Sequence, residues 1–318
     1  MRILIMGVSG QIGTNLALRC LAEGHEVYGI DLRANSWTTL IRQSHCDLTH
    51  PCASTTLAQL LTSWGTPDIV VHLAAHAKVH QLVLEPHKAL ENIAMTQHIL
   101  EYCRIQNVPI IFSSSREVYG NVYRPETSEK DADFTQITSA YAASKLSGEA
   151  LVYSYARCYE LPYIVFRLSN VYGRFDNDLK RMERVIPLFI QNIQHDKSLK
   201  VFGSNKVLDF TYIDDCIDGI MLGIDCLVTG RVRNETINLA RGEGHTLNQL
   251  CLHLTKTLNI EVEIEDLPMQ TGEVYHYVAN LKRARELLGF APKVSLPEGL
   301  HKAIIWSHEH LGKNHIRS

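Results

Sequence analysis

The chain has 318 residues, 45% hydrophobic and 20% charged, an ordinary globular composition long enough for about two domains. A net charge of −3 provides no basic surface for nucleic acid or an anionic membrane, and no apolar run approaches the ~20 residues that span a bilayer, so neither partner is expected. The eight cysteines, at 20, 46, 52, 103, 158, 216, 226 and 251, are scattered and contain no Cys-x-x-Cys pair. With Arg2 to Met6 too short for the apolar core of a secretory leader, they point to reduced thiols and a cytoplasmic protein.

Residues 2–6 read as a buried strand and run into Gly7-Val8-Ser9-Gly10-Gln11-Ile12-Gly13. A helical pattern through Leu16, Ala17, Cys20 and Leu21 follows and stops at Gly24. Strand, glycine turn and helix in this order are the context of a dinucleotide site. The glycines permit a tight turn and close backbone approach, and the helix N-terminus favours phosphate. Gly7, Gly10, Gln11, Ile12 and Gly13 are therefore candidate cofactor contacts. The next strand, Glu26 to Ile30, ends in Asp31 with Leu32 beside it. An acidic residue about 20 positions beyond the glycines is placed for a ribose 2′-OH, which favours NAD over NADP, although Arg33 lies close enough to accept a 2′-phosphate.

Strand and helix signals then alternate: a short strand at 45–48, a helix at 53–64, a strand at 68–73, a helix at 86–106 and a strand at 108–112. A helix at about 139–160 and a strand at 163–168 complete the series. Repeated βα units predict an α/β fold with a doubly wound, Rossmann-like parallel sheet. Beyond 168 the pattern loosens into a loop at 170–174, a helix at 185–193, strands at 199–202, 209–212 and 236–239, and a helix after Asp214. Short helices follow at 246–257, 280–288 and 297–311. The expected organisation is a cofactor domain over 1–168, with about 209–240 returning to it, and a smaller discontinuous substrate lobe over 169–208 and 241–318. The helices at 86–106 and 139–160 are apolar on more than one face, which suits burial under a sheet or a homodimer interface.

Two segments carry the chemistry. Ser113-Ser114-Ser115-Arg116-Glu117-Val118-Tyr119-Gly120 leaves the C-terminal end of a strand, where ligands bind in open α/β sheets. Tyr141 and Lys145 open a helix four residues apart, on one face. A phenol beside an ammonium suggests a base near neutrality, and Ser115 is placed to hydrogen-bond the same substrate oxygen. Together they suit removal of a proton from an alcohol while a hydride leaves its carbon. His72, His76 and His80 are spaced by four, but His72 falls at a strand end and no third ligand pattern follows, so no metal site is expected.

These motifs, with His72-Leu73-Ala74-Ala75, Asn92, Asn170-Val171-Tyr172-Gly173, Asp209 to Ile213 and Leu287 to Phe290, run through nearly the whole chain. In this order they resemble the extended short-chain dehydrogenase/reductase family, specifically its NAD-dependent nucleotide-sugar epimerases and dehydratases. The resemblance implies a tightly held NAD, reduced and reoxidised within one turnover, and a nucleotide-sugar substrate. It implies Tyr141 as base and Lys145 as the group that binds the nicotinamide ribose and lowers the phenol pKa, with Ser115 on the reacting oxygen. Asp47 and Leu48 would contact adenine, Leu73, Ala74 and Ala75 the cofactor, and Asn170 the substrate, with Arg116 and Lys206 as further substrate candidates.

Glu117 leaves the subclass open. A glutamate there serves elimination or decarboxylation as a second acid–base group, whereas a 4-epimerase needs none. The alternative is a structural carboxylate paired with Arg116 or the local backbone. Two positions where the family carries diphosphate-binding arginines hold Leu208 and Gln270, leaving Lys206, Arg174, Lys180, Arg181 and Arg184 as other cations for that task. The leading expectation is a sugar 4-epimerase working through a 4-keto intermediate. The rivals are a dehydratase or decarboxylase using Glu117, and, in another class, a non-catalytic NAD-binding sensor or scaffold.

Overall fold

The apolar runs of the first 170 residues become parallel strands separated by helices. The computed structural model describes residues 1–121, 124–176, 184–195 and 197–311. In chain order the elements begin with β1 (Arg2–Met6), α1 (Gln11–Ala22), β2 (Glu26–Asp31), β3 (Gln43–His45), α2 (Ala53–Leu61), β4 (Ile69–His72) and α3 (Val79–Leu84). They continue with α4 (His87–Gln106), β5 (Ile110–Ser115), α5 (Ala140–Tyr159), β6 (Tyr163–Leu168), β7 (Asn170–Tyr172), α6 (Val185–Gln194) and β8 (Leu199–Phe202). The last are β9 (Val207–Tyr212), α7 (Ile213–Val228), β10 (Glu235–Leu239), β11 (Gly244–Thr246), α8 (Leu247–Leu258), β12 (Ile264–Leu267), α9 (Lys282–Leu288) and α10 (Leu296–Leu311).

Seven strands form one sheet in the order β10-β6-β5-β4-β1-β2-β3, and every pairing in it is parallel. Alternate residues of β1 feed two cores. Ile3 and Ile5 pack with Leu16 and Cys20 of α1 and Ile217, Ile220 and Ile224 of α7. Leu4 and Met6 pack with Leu57 of α2, Met95 and Ile99 of α4, and Val152 of α5. Helices on both faces explain why these strands are continuous apolar runs rather than alternating ones. The order reverses between β1 and β4, and the crevice outside the carboxyl ends at such a switch point is where ligands bind.

The structure departs from the expectation in places. The strand expected at 45–48 lies at Gln43–His45, where Gly29 to Asp31 of β2 offer backbone partners. Residues 170–172, read as loop, form β7 alongside β9 in a separate three-stranded sheet with β11. A three-residue strand is too short to show a period. A two-stranded sheet joins β8 to β12, while β10 lies at the edge of the main sheet beside β6. The short helix α3 had no legible sequence pattern. All eight cysteines are free, and no helix among the described residues is long and apolar enough to cross a membrane.

Candidate active site

The turn after β1 is shaped by close backbone approach. Gly7 has φ +85°, and a Cβ there would sit 2.7 Å from the Ala74 nitrogen, so only glycine lets the loop after β4 close on this turn. A Cβ at Gly13 would run into the Gly7 carbonyl. Gly10 caps α1 without a side-chain hydrogen bond, leaving the first-turn N–H groups of the helix available to an anion. At the end of β2 the Asp31 carboxylate is held by the backbone N–H groups of Ser9 (2.9 Å) and Arg33 (3.0 Å). Asp47 accepts from the Thr49 N–H (2.9 Å) and hydroxyl (2.7 Å), which hold its carboxyl below the usual range. Leu48 is buried among core side chains and Leu32 is exposed.

The three serines ending β5 do different things. Ser113 donates its hydroxyl to the His72 carbonyl (2.9 Å), and Ser114 donates to Glu149 (2.6 Å). Ser115 caps a 3-10 turn over Arg116–Tyr119, its Oγ accepting from the Glu117 N–H at 3.2 Å. Ser139 caps α5, which carries Tyr141 and Lys145 one turn apart and both buried. The Lys145 ammonium donates to the Ser113 carbonyl (2.7 Å) and lies 6.0 Å from the Tyr141 ring centroid. Burial pulls Lys145 down to about 8 against the opposing charge of Glu149.

Burial, reinforced by the Glu117 charge, pushes Tyr141 up to about 12, while Ser115, Arg184 and Arg116 pull the other way. The Lys145 ammonium lies 6.0 Å from the phenol ring centroid and donates to the Ser113 carbonyl. Beneath α5, the Arg167 guanidinium of β6 grips Glu149 through two bonds of 2.9 and 2.7 Å, a buried pair that no sequence spacing announced.

On the other side of Ser115, Arg116 and Glu117 form an ion pair of 2.8 Å. Glu117 is only 5% exposed, and burial raises its pKa. Lys206, also buried, pairs with Glu273 at 2.8 Å. Asn170 donates to the Asp209 carbonyl (3.1 Å) at the start of β7. Arg184, just before α6, contacts Gln11 and pairs with buried Asp176 at 2.8 Å. Asn92 accepts from the His76 N–H (2.8 Å) and donates to Ser144 (3.1 Å), tying the loop after β4 to α5.

One cavity of about 1300 Å³ collects the two groups of residues. It is lined by Gly7, Gly10, Gln11, Ile12, Gly13, Asp31, Leu32, Asp47, Leu48, Leu73, Ala74 and Ala75 on the glycine-turn side. Ser115, Arg116, Glu117, Tyr141, Lys145, Asn170 and Lys206 line the remainder, with Leu208 and Gln270 among them. That volume exceeds the ~300–1,000 Å³ usual for a single small ligand, so a dinucleotide and a second molecule have room. Of the alternative cations, Arg184 lines the cavity, Arg174 pairs with Asp214 (2.6 Å), and Lys180 and Arg181 lie outside the described residues. Sequence reasoning missed Asp176 and Glu273, whose partners lie on other segments, and His72, on the strand end, contacts Thr96 (3.2 Å) rather than the other histidines.

Residues 3–240 match the NAD dependent epimerase/dehydratase family. The chain belongs to that family. Among its relatives, a UDP-glucuronate 4-epimerase of Thermodesulfobacterium geofontis is 29% identical, over 97% of this chain and 96% of the relative. A UDP-glucose 4-epimerase of Thermotoga maritima, solved with UDP-glucose, is similar with a TM-score of 0.90 at 28% identity, covering 98% of this chain and 100% of that one. A UDP-glucuronic acid 4-epimerase from Bacillus cereus, solved with UDP-glucuronic acid and NAD, has a TM-score of 0.84 at 27% identity, covering 97% and 99%.

The epimerase/dehydratase family uses NAD, and the groove fits it. The uncapped end of α1 suits a pyrophosphate, the glycines allow its approach, and the fixed carboxylate of Asp31 suits a ribose diol.

Proposed function

We propose that this protein is a UDP-sugar 4-epimerase. The observation that carries this is the convergence of Ser115, Tyr141 and Lys145 in the cavity that begins at the glycine turn. The 4-epimerases among its relatives support it. When bound, NAD supplies a hydride acceptor that later returns the hydride, and a positive ring charge that favours the phenolate.

The work of the chain's own residues is then as follows. Tyr141 takes the proton of the sugar 4-hydroxyl and gives it back to the ketone oxygen after the sugar has presented its other face. Ser115 hydrogen-bonds that oxygen in both states. Lys145, held by the Ser113 carbonyl, places its ammonium for the nicotinamide ribose. Gly7, Gly10, Gln11, Ile12 and Gly13 hold the pyrophosphate, Asp31 with Leu32 the adenosine ribose, Asp47 and Leu48 the adenine, and Leu73 to Ala75 the cofactor's inner edge. Arg116, Asn170 and Lys206 face the nucleotide sugar.

A second reading, elimination or decarboxylation with Glu117 as an extra acid–base group, has one observation in its favour: burial raises that carboxyl beside the reacting centre. Residues 1–168 with about 209–240 serve as the cofactor domain in this proposal, and 169–208 with 241–318 as the substrate lobe. Exposed Leu90 and Ile105 of α4 and Tyr159 of α5 support a homodimer through these helices. The free thiols suit the cytoplasm.

The test is mass spectrometry and chromatography of products from a panel of nucleotide sugars, incubated with the protein and NAD in light and heavy water. A new isomer of unchanged composition is expected. Loss of water or carbon dioxide replaces the epimerase with the second reading, and absence of product from every sugar overturns both.

A further inference from the structure

Ser115 and Tyr141 stand on different elements. Ser115 ends β5 and Tyr141 opens α5, so their separation depends on how the helix seats on the strand. At Gly148 the helix lies directly on β5, where an added Cβ would come within 2.6 Å of Phe112 Cζ. One residue further along, the Glu149 carboxylate meets the sheet. It accepts from Ser114 Oγ of β5 (2.6 Å) and, through both oxygens, from Arg167 of β6 (2.9 and 2.7 Å). Ser114 and Arg167 are partners in the parallel register, so their side chains leave the same face of the sheet. One carboxylate thereby joins the helix to two strands.

Arg167 also reaches the other side of Ser115. Its guanidinium lies 4.9 Å from the Tyr119 ring centroid, and Nη1 donates to the Glu129 carbonyl (2.8 Å). Tyr119 closes the 3-10 turn that Ser115 caps, and its hydroxyl donates to Asn238 of β10. Ser115 is thus fixed from behind through Ser114 and from in front through Tyr119, and both ties run to the same arginine. A buried ion pair adds little net stability over apolar side chains of the same volume, because both charges have left water. What the arginine fork supplies is direction, since two parallel bonds hold the carboxylate in one orientation. Direction matters at this place: the Ser115 hydroxyl is one of the groups that bear on the Tyr141 phenol by hydrogen bonding. A misplacement of about 1 Å between reacting groups is worth ~100-fold in rate.

We infer that Glu149 and Arg167 are positioning residues: through Ser114 and Tyr119 they set where the Ser115 hydroxyl stands against the Tyr141 phenol. This rests on the reading of Ser115 and Tyr141 as the groups that handle the sugar proton. Neither Glu149 nor Arg167 lines the cavity, so their effect passes through the residues they hold.

The experiment compares NAD-loaded wild type with Ser114→Ala and Tyr153→Phe. Ser114→Ala cuts the tie between β5 and Glu149 and leaves the ion pair with Arg167 whole. Tyr153→Phe removes a 3.0 Å bond to the same carboxylate from the turn of α5 that lies away from Tyr141. Ser114→Ala is expected to lower kcat ~tenfold, with KM, bound NAD and the denaturant midpoint near those of wild type, whereas Tyr153→Phe stays within about twofold. A second readout needs no turnover. In isotope-labelled protein the Tyr141 Cζ resonance, assigned by its loss in Tyr141→Phe, is expected to move in Ser114→Ala and to stay in place in Tyr153→Phe. A resonance unmoved by Ser114→Ala, or moved equally by both substitutions, overturns the inference whatever the turnover. With an active wild type, an unchanged kcat in Ser114→Ala overturns it as well. A wild type that converts no sugar, together with a resonance that moves only in Ser114→Ala, defeats the epimerase and leaves the positioning pair standing.

Discussion

Lys145 Nζ donates to the Ser113 carbonyl at 2.7 Å, so the ammonium of α5 is bound to the backbone of strand β5 rather than to the phenol one helical turn away. The pair found by spacing is thus a helix-to-sheet tie on one side and, on the other, a phenol that burial pushes up to about 12, against which the positive charge of bound NAD would act. Proton transfer then rests on the Tyr141 oxygen itself. Tyr141→Phe keeps the ring and its packing, so bound NAD, measured as nucleotide released on denaturation, should stay near one per chain. Turnover should fall by ~10²–10⁴-fold, the usual worth of a positioned acid–base group. Activity within a few fold of wild type removes the tyrosine from the chemistry.

Asp31 serves two partners before any ligand arrives, the N–H groups of Ser9 and Arg33. Asp31→Ala therefore loosens the glycine turn for any dinucleotide. It also removes the acceptor for a ribose 2′-OH, a charged bond worth roughly 1.5–3 kcal/mol. NADP gains from losing a carboxylate that opposes its 2′-phosphate. NAD affinity should drop ~10–100-fold while NADP affinity changes little or improves, as read by fluorescence titration with the reduced forms. Equal losses for both cofactors would mean that Asp31 acts only on the turn.

The parts of this site legible in the sequence are those written in local spacing. The glycine turn stands between a buried strand and a helix, and Tyr141 and Lys145 share a face because they are four apart. The open groove and the parallel sheet followed from repeated βα units. Pairs formed across distant segments left no such trace. Glu273 reaches Lys206 over 67 residues, and Asp209 accepts from the N–H groups of Arg241 (3.0 Å) and Gly242 (2.8 Å) far along the chain. The strand β7 is hidden for the same reason, since its pairing with β9 is decided by tertiary contact. Spacing shows that Tyr141 and Lys145 are near each other, not how deeply they are buried or what else holds them.

Glu149 illustrates the cost of such hidden contacts. It lies fully buried on α5, gripped by Arg167 and bonded by Ser114 (2.6 Å) and Tyr153 (3.0 Å). Glu149→Ala strands the Arg167 guanidinium in the interior, and breaking a buried pair in this way costs roughly 3–5 kcal/mol. The denaturant midpoint should fall accordingly, whereas truncating the exposed ion pair of Lys282 with Glu286 should move it by less than about 1 kcal/mol. A Glu149→Ala protein as stable as wild type would show that water or rearrangement accommodates Arg167.

Asp176 makes the stability depend on pH in a direction opposite to that of most carboxylates. Burial outweighs its 2.8 Å contact with Arg184 and raises it to about 6, whereas an unfolded aspartate titrates near ~3.9. Between roughly pH 4 and 6 the folded chain therefore keeps a proton that the unfolded chain has lost. This group's contribution to stability falls as pH rises through that window and is level above it. Asp176→Asn retains the shape and cannot titrate. The unfolding free energy of the variant relative to wild type should accordingly be larger, meaning the variant is relatively more stable, at pH 7.5 than at pH 5, by about 1 kcal/mol, in urea titrations at the two values. A difference that runs the other way would mean that Arg184 holds the carboxyl ionised below pH 5, and that the pair stabilises the approach to α6 at neutral pH instead of straining it.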